Sequence, residues 1–117
     1  MSVERLTESV LRAHPLPIPK HDGSKQHRGR VLVVGGCRAV PGAVLLSGLA
    51  ALRAGAGVLR IATVESVAPP LAVAVPEAMV IGLAESAKGE IHPSNIDTIL
   101  DLAADADAVL LGPGYVE

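Results

Sequence analysis

Four consecutive aliphatic residues, Val31 to Val34, constrain this chain most strongly, because their run ends at Gly35 and Gly36. An unbroken aliphatic run of this length is typical of a strand buried on both faces, as in a parallel sheet covered by helices. Pro41 then precedes a stretch of helix formers over residues 42–54, and proline suits the first turn of a helix. A second apolar run over residues 58–62 completes a predicted β-α-β unit with a right-handed crossover.

The remaining segments extend this unit into an α/β domain. We predict a third strand over residues 79–83, a helix from residue 94 or 95 to residue 106, and a fourth buried strand over residues 108–111. Residues 71–75 fit either a short helix or a strand. The chain is thus predicted to be a single domain, 1–117, with an amino-terminal helix and proline-rich lead-in over 1–24 and a β-α-β core over 25–117.

Three helical faces carry specific expectations. Residues 2–13 predict an amphipathic helix with Val3, Leu6 and Val10 on one stripe. The helix over 42–54 is apolar nearly all round, which predicts burial on more than one side, either between the sheet and other helices of its own domain or at a subunit interface. The buried face of the helix before the fourth strand is predicted to consist of Ile96, Ile99, Leu100 and Ala103.

Composition excludes several classes of protein. The single cysteine, Cys37, rules out an internal disulfide and an all-cysteine metal site. A net charge of −2 and one aromatic residue, Tyr115, argue against a basic, aromatic nucleic-acid surface. The amino terminus is charged where a signal peptide is apolar, and the longest apolar run is shorter than the ~20 residues of a membrane-spanning helix. We therefore expect a cytoplasmic protein that binds neither nucleic acid nor membrane.

Two glycine-rich loops follow two of the predicted strands. Residues 35–42 follow the first strand, and Gly112, Pro113 and Gly114 follow the fourth. Ligands of open α/β sheets bind at the carboxyl ends of the strands, so the pair of loops predicts a cleft for a nucleotide or another small molecule. Neither loop matches GxxxxGK followed by Ser or Thr, or GxGxxG, so a plain strand-to-helix connection remains the alternative for each loop.

The residues alone identify no catalytic group and no metal site. Cys37 is not accompanied by a placed base, and the four histidines lack the spacing of metal ligands. The aspartates between residues 97 and 107 mostly describe the solvated face of a helix. No acid–base pair or triad is recognisable in the sequence.

The order of the motifs resembles the NAD(P)H-hydrate dehydratase family, which comprises repair enzymes with a ribokinase-like fold. Residues 25–63, KQHRGRVLVVGGCRAVPGAVLLSGLAALRAGAGVLRIAT, are similar to the family's strand with its double glycine, its P-G-A and its A-A-L-R-x-G-A-G. PEAM at residues 76–79 and DAVLLGPG at residues 107–114 are similar to two further segments of the family. The resemblance implies an α/β, ribokinase-like fold with a mostly parallel sheet and helices on both faces.

The resemblance also implies a reaction and a binding site. The family dehydrates hydrated NADH or NADPH, and ADP or ATP phosphorylates the hydroxyl group with the assistance of Mg²⁺. Ala43 of P-G-A and Gly114 of G-P-G match positions that line the hydrated dinucleotide. Gly36, Pro41 and Gly42 are expected to shape the same pocket.

The resemblance covers only the amino-terminal portion of the family's domain. The family's T-P-H-x-G-E segment, its K-G nucleotide loop and its G-T-G-D segment with the catalytic aspartate have no counterpart before Glu117. We therefore expect an incomplete domain that is inactive alone and forms a homo-oligomer or pairs with a complementing carboxyl-terminal chain. Two alternatives remain open: a ribokinase-like kinase of a small alcohol such as a vitamin precursor, and a non-catalytic binding or assembly module.

Overall fold

The computed structural model describes residue 3, residues 5–18 and residues 23–115. Its strands are β1 (Arg30–Val34), β2 (Val58–Val64), β3 (Ala78–Leu83) and β4 (Ala108–Leu111). Its α-helices are α1 (Glu8–Ala13), α2 (Gly42–Arg53), α3 (Ala68–Ala74) and α4 (Ile96–Ala104), and short 3₁₀ helices span Lys25–Arg28 and Pro93–Asn95. The ambiguous segment at residues 71–75 thus belongs mostly to a helix, α3.

The strands form one four-stranded sheet in the order β3-β2-β1-β4, and every pair of neighbours is parallel. Val34 at the end of β1 is in register with Ala62 of β2 and Leu111 of β4. All four strands therefore end at the same edge of the sheet, here called the carboxyl edge.

Two apolar clusters pack on opposite faces of the sheet. One cluster joins Val33, Leu59 and Ile61 to side chains of α2 and α3. The other joins Leu32 and Ala62 to side chains of α4. The prediction of helices on both faces is confirmed, and the burial of Leu32, Val33 and Val34 in β1 agrees with the unbroken aliphatic sequence.

Within the part of the chain that the structure describes, helix α2 is buried on one side only, so no helix of this part covers its second side, and the alternative of burial at a subunit interface stays a prediction. Its buried residues are Val44 and Gly48. An ideal Cβ on Gly48 would lie 2.9 Å from Cδ1 of Ile61, so the glycine lets the helix approach β2 closely. Leu46, on the opposite side, is 70% exposed. A helix that is apolar all round is able to be buried on every side, but which sides are buried depends on the elements that pack against it.

Strand β4 is exposed, whereas the sequence predicted a buried strand. Val109, Leu110 and Leu111 are 47%, 46% and 65% exposed. The physical reason is position: in the part of the chain that the structure describes, β4 pairs with β1 only and lies at the edge of the sheet. The aliphatic run correctly predicted a strand and incorrectly predicted its burial.

Two helices differ in detail from their predicted faces. Helix α1 begins at Glu8, after the N-cap Thr7, and buries no residue, so Leu6 and Val3 are exposed instead of forming a packed stripe. In α4, Ile96 and Leu100 are exposed, while Ile99, Leu102 and Ala103 pack against the sheet. The orientation of α4 relative to the sheet decides which of its apolar residues are covered.

An ion-pair network ties β4 to the sheet at the opposite, amino edge. Asp107 accepts a hydrogen bond from the backbone N–H of Arg30 at 2.8 Å, and its carboxylate contacts the Arg30 guanidinium at 3.2 Å. Asp105 pairs with both Arg30 and Arg60 at 2.7 Å. These two aspartates are half-exposed, in agreement with the predicted solvated face, and they also join the end of α4 and the start of β4 to β1 and β2.

We expect Asp107→Asn to lower the stability of the protein at neutral pH. Hydrogen bonds from the Arg30 side chain and then from its backbone hold the pKa of Asp107 below its ordinary value. A lowered pKa in the folded state stabilises the fold above the unfolded pKa of about 3.9, and this contribution is lost as the pH falls through the folded pKa. The difference in Tm between wild type and Asp107→Asn should therefore shrink below about pH 4. Asp101→Asn, on the exposed face of α4, is the charge-matched control; a Tm difference independent of pH would contradict the prediction.

Candidate functional site

The two glycine-rich loops meet at the carboxyl edge of the sheet. The glycine loop, residues 35–41, follows β1, and the GPG loop, residues 112–114, follows β4. The N–H of Gly36 donates to the carbonyl oxygen of Pro113 at 2.6 Å, and the N–H of Gly112 donates to that of Val34 at 3.0 Å. The prediction that the two loops lie side by side is confirmed.

The strand order explains why the two loops are neighbours at this edge. From β1 the chain continues to β2 on one side, whereas β4 lies on the other side of β1. The connections after β1 and β4 therefore flank a topological switch point, where open α/β sheets bind their ligands. The candidate site occupies this switch point.

Three of the five predicted binding residues converge in the structure. Gly114 has a φ of +78°, and an ideal Cβ on it would lie 2.8 Å from the carbonyl oxygen of Val40, 3.1 Å from Cβ of Ala43 and 3.1 Å from Cα of Gly36. Only glycine fits this conformation and this contact without displacing the backbone. Gly36 is buried, and Ala43 and Gly114 are half-buried.

The other two predicted binding residues lie at the exposed start of α2. Pro41 is the N-cap of this helix and makes no side-chain capping hydrogen bond. The N–H groups of the first helical turn have no partner within the helix, and they favour negative charge. An ideal Cβ on Gly42 would meet no atom within 4 Å, so the packing does not require glycine at this position.

Thr63 lies directly beneath the glycine loop and was missed by the sequence analysis. Its side chain is fully buried, and its Oγ1 has no hydrogen-bond partner in the part of the chain that the structure describes. The hydroxyl lies 2.8 Å from the position of an ideal Cβ on Gly36. A hydroxyl within the aliphatic residues at the end of β2, Ile61 to Val64, was the available sequence signal. Cys37, next to Gly36, is also buried, where a thiol behaves as a small apolar group.

A polar cluster at the same edge was also missed. Arg38 of the glycine loop forms an ion pair with Glu85, which follows β3, and Glu85 accepts a hydrogen bond from Oγ of Ser66 at 2.6 Å. The Ser66 hydroxyl and then the Arg38 guanidinium hold the pKa of Glu85 below its ordinary value. The carboxylate is thus ionised at neutral pH. It interacts with Arg38, which follows β1, and with Ser66, which follows β2.

A cavity of about 780 Å³ lies at the amino edge, away from both glycine-rich loops. Its lining includes Ile18, Gly29 and Ala51, together with Arg30 and Asp107. These two charged residues pair with each other, so their charges are already compensated. The carboxyl edge is the stronger candidate, because the two glycine-rich loops contact each other there beside the start of α2, whose first N–H groups favour an anion.

The described residues, 3, 5–18 and 23–115, contain neither a metal-binding cluster nor a membrane-spanning helix. No group of three or more His, Cys, Asp or Glu side chains is arranged there to hold a metal ion. No helix there has both the length and the apolar character needed to cross a membrane.

Comparisons with known proteins point to one family. A sequence model described as NAD(P)H-hydrate dehydratase matches residues 31–116. An ADP-dependent (S)-NAD(P)H-hydrate dehydratase from Xanthomonas campestris is 55% identical over 113 residues, which are 96% of this chain and 38% of that protein.

Solved structures agree with the sequence comparison. A ribokinase-like superfamily protein from Enterococcus faecalis superposes with a TM-score of 0.70 at 30% identity, over 86% of this chain and 32% of that one. An ADP/ATP-dependent NAD(P)H-hydrate dehydratase from Bacillus subtilis, co-crystallised with ATP and Mg²⁺, superposes with a TM-score of 0.60 at 30% identity, over 90% of this chain and 44% of that one. The chain spans less than half the length of each of these proteins.

Proposed function

The chain belongs to the NAD(P)H-hydrate dehydratase family, and we propose that it forms the part of such an enzyme that binds hydrated NADH or NADPH. The observation that carries the proposal is the convergence of Gly36, Ala43 and Gly114 at the switch point of the sheet. The full reaction is the nucleotide-dependent dehydration that restores the reduced nicotinamide.

The fold supports this assignment. The fold is ribokinase-like, as the resemblance implied, and the chain corresponds to a part of the whole domain. The relatives carry dehydratase names, so the kinase of a small alcohol and the non-catalytic module are not favoured.

The described residues suit binding of a phosphate-bearing ligand. Glycines at 36 and 114 let the two loops pack closely, because an ideal Cβ on either glycine would lie 2.8 Å from a protein oxygen, Oγ1 of Thr63 or the carbonyl oxygen of Val40. The uncapped start of α2 offers N–H groups and a favourable dipole to a phosphate. We assign these residues to positioning the hydrated dinucleotide, which is a main contribution of a protein to phosphoryl transfer.

The proposal includes ADP or ATP and Mg²⁺ as cofactors, because the resemblance to the family implies them. The Bacillus subtilis relative was co-crystallised with ATP and Mg²⁺. At the carboxyl edge described here, the carboxylate of Glu85 is already paired with Arg38, and it does not fit the role of a magnesium ligand.

The proposal also concerns the edge of β4 that pairs with no strand among the described residues. Three consecutive aliphatic residues of β4 are about half exposed or more, and an uncovered strand edge is a template for pairing with another chain. We propose that this edge pairs with a complementing carboxyl-terminal chain or with a second copy. Size-exclusion chromatography with light scattering tests the second possibility, and a stable monomer at every concentration would exclude it.

The proposed function is tested by separating binding from turnover. We expect the purified 117-residue chain to bind hydrated NADPH, seen as a rise in Tm and as heat in titration calorimetry. We expect no NADPH to appear on addition of ADP or ATP and Mg²⁺, because the family's K-G nucleotide loop and its G-T-G-D segment with the catalytic aspartate have no counterpart in these 117 residues. NADP⁺ and a small alcohol such as a hydroxymethylpyrimidine serve as competing ligands. Absence of binding, or preferential binding of the alcohol, would refute the proposal.

A further inference from the structure

The glycine loop is held from two sides by segments distant in sequence. On one side, the N–H of Gly36 donates to Pro113 of the GPG loop at 2.6 Å. On the other side, the N–H of Arg38 donates to the carbonyl oxygen of Gly89 at 2.8 Å. Gly89 belongs to the β3–α4 connection, residues 84–92. The glycine loop is therefore hydrogen-bonded both to the GPG loop, which follows β4, and to this connection.

The side chain of Arg38 strengthens the second attachment. Its guanidinium pairs with Glu85, whose side chain is only 10% exposed. Glu85 also accepts hydrogen bonds from the hydroxyl of Ser66 at 2.6 Å and from its N–H at 3.4 Å. Through this one carboxylate, the residues that follow β1, β2 and β3 are joined.

The β3–α4 connection is shaped to receive Arg38. Gly89 has a φ of +79°, and an ideal Cβ on it would lie 2.6 Å from Cβ of Arg38. The buried Asn95 fixes the start of the connection, because its side chain accepts from the N–H of Ala84 at 2.9 Å and donates to the Ala84 carbonyl at 2.8 Å. Glu85 therefore extends from a fixed backbone, and its carboxylate is a rigid anchor for Arg38.

We propose that Glu85 is a positioning residue, which acts through Arg38 to hold the glycine loop in the conformation that binds the dinucleotide. The inference rests on the proposed function for the identity of the ligand. A loop that is ordered before binding spares the complex the entropic cost of ordering it. Glu85 orders the glycine loop by holding it at Arg38, while Pro113 holds it at Gly36.

The test uses Glu85→Gln, which keeps the size of the side chain and removes its charge. We expect hydrogen exchange of the Gly36 amide to accelerate, because the hydrogen bond to Pro113 opens more often once the other end of the loop is released. We expect the Kd for hydrated NADPH to rise about tenfold, comparable with the cost of ordering one or two side chains on binding. Glu85→Asp should change the Gly36 exchange rate and the Kd less than Glu85→Gln does, since it retains the carboxylate.

Two further variants complete the design. Glu90→Gln removes one negative charge from the same connection and leaves the Arg38–Glu85 pair intact, so its Gly36 exchange and Kd should equal those of the wild type. Ser66→Ala removes one hydrogen bond to Glu85, and should shift both readouts in the same direction by a smaller amount, which keeps the test informative if Glu85→Gln fails to fold.

The outcomes separate this inference from the proposed function. Unchanged Gly36 exchange in folded Glu85→Gln overturns the inference, and so does a weaker Kd without faster exchange, which would make Glu85 a direct ligand contact. If the wild-type chain does not bind hydrated NADPH, the proposed function fails, while the exchange measurement still decides whether Glu85 positions the loop.

Discussion

Gly114→Ala is expected to weaken the binding of hydrated NADPH about 100-fold, by analogy with the loss of rate that a misplacement of about 1 Å causes in catalysis. The new methyl group would lie 2.8 Å from the Val40 carbonyl oxygen and 3.1 Å from Cα of Gly36. Both neighbours are backbone atoms, so the GPG loop or the glycine loop has to move as a whole. The φ of +78° at Gly114 adds strain, because alanine rarely adopts this conformation.

Gly112→Ala is the matched control for this prediction. Gly112 lies in the same loop and has a φ of +113°, so alanine causes backbone strain there as well. Its ideal Cβ, however, has Tyr115 as its nearest neighbour at 3.7 Å, an ordinary contact distance. Titration calorimetry on both variants, with circular dichroism to verify folding, should show a much larger loss of affinity for Gly114→Ala. Equal affinities would show that contact between the two loops does not shape the site.

Gly57→Ala is expected to destabilise the protein by about 3–5 kcal/mol, the range of the most damaging single substitutions and a large part of a typical total of about 5–15 kcal/mol. An ideal Cβ on Gly57 would overlap the carbonyl oxygen of Lys25 and lie 2.7 Å from its carbonyl carbon and 2.9 Å from Cβ of Arg28. Gly57 also donates to the carbonyl oxygen of Gly29 at 3.0 Å, so moving it disturbs the entry into both β1 and β2. No side-chain rotation relieves a clash with backbone.

The measurement is urea denaturation of Gly57→Ala beside Gly42→Ala. Gly42 begins α2, and its ideal Cβ meets no atom within 4 Å. Since alanine is favoured over glycine in helices by up to about 1 kcal/mol, Gly42→Ala should leave stability unchanged or raise it slightly. A midpoint for Gly57→Ala within experimental error of the wild type would contradict the expected clash.

Much of the architecture was predictable because its signals are local. The aliphatic run at β1, the double glycine after it, Pro41 at the start of α2 and the second aliphatic run at β2 specify a β-α-β unit within one short segment. Each signal depends on the conformational preferences of the residue itself. The place of the candidate site followed from the general rule for ligands of parallel sheets.

The failures concern residues whose role is set by a partner elsewhere in the chain. Glu85 and Arg38 are 47 positions apart, and Asp107 and Arg30 are 77 positions apart. The hydroxyl of Thr63 is noteworthy only because the strand brings it under Gly36. The exposure of β4 depends on what lies beside it in the sheet, and its own aliphatic sequence does not reveal this.

The sequence by itself determined the order of strands and helices, the glycines at the two turns and the family, because these are properties of short segments read along the chain. Only the tertiary structure decided that Gly36, Ala43 and Gly114 lie together at the carboxyl edge, that Arg38 of the glycine loop pairs with Glu85, and that β4 and one side of α2 are exposed. The physical reason is that contact and burial are relations between distant residues, fixed by the strand order β3-β2-β1-β4 and the packing of helices on the sheet.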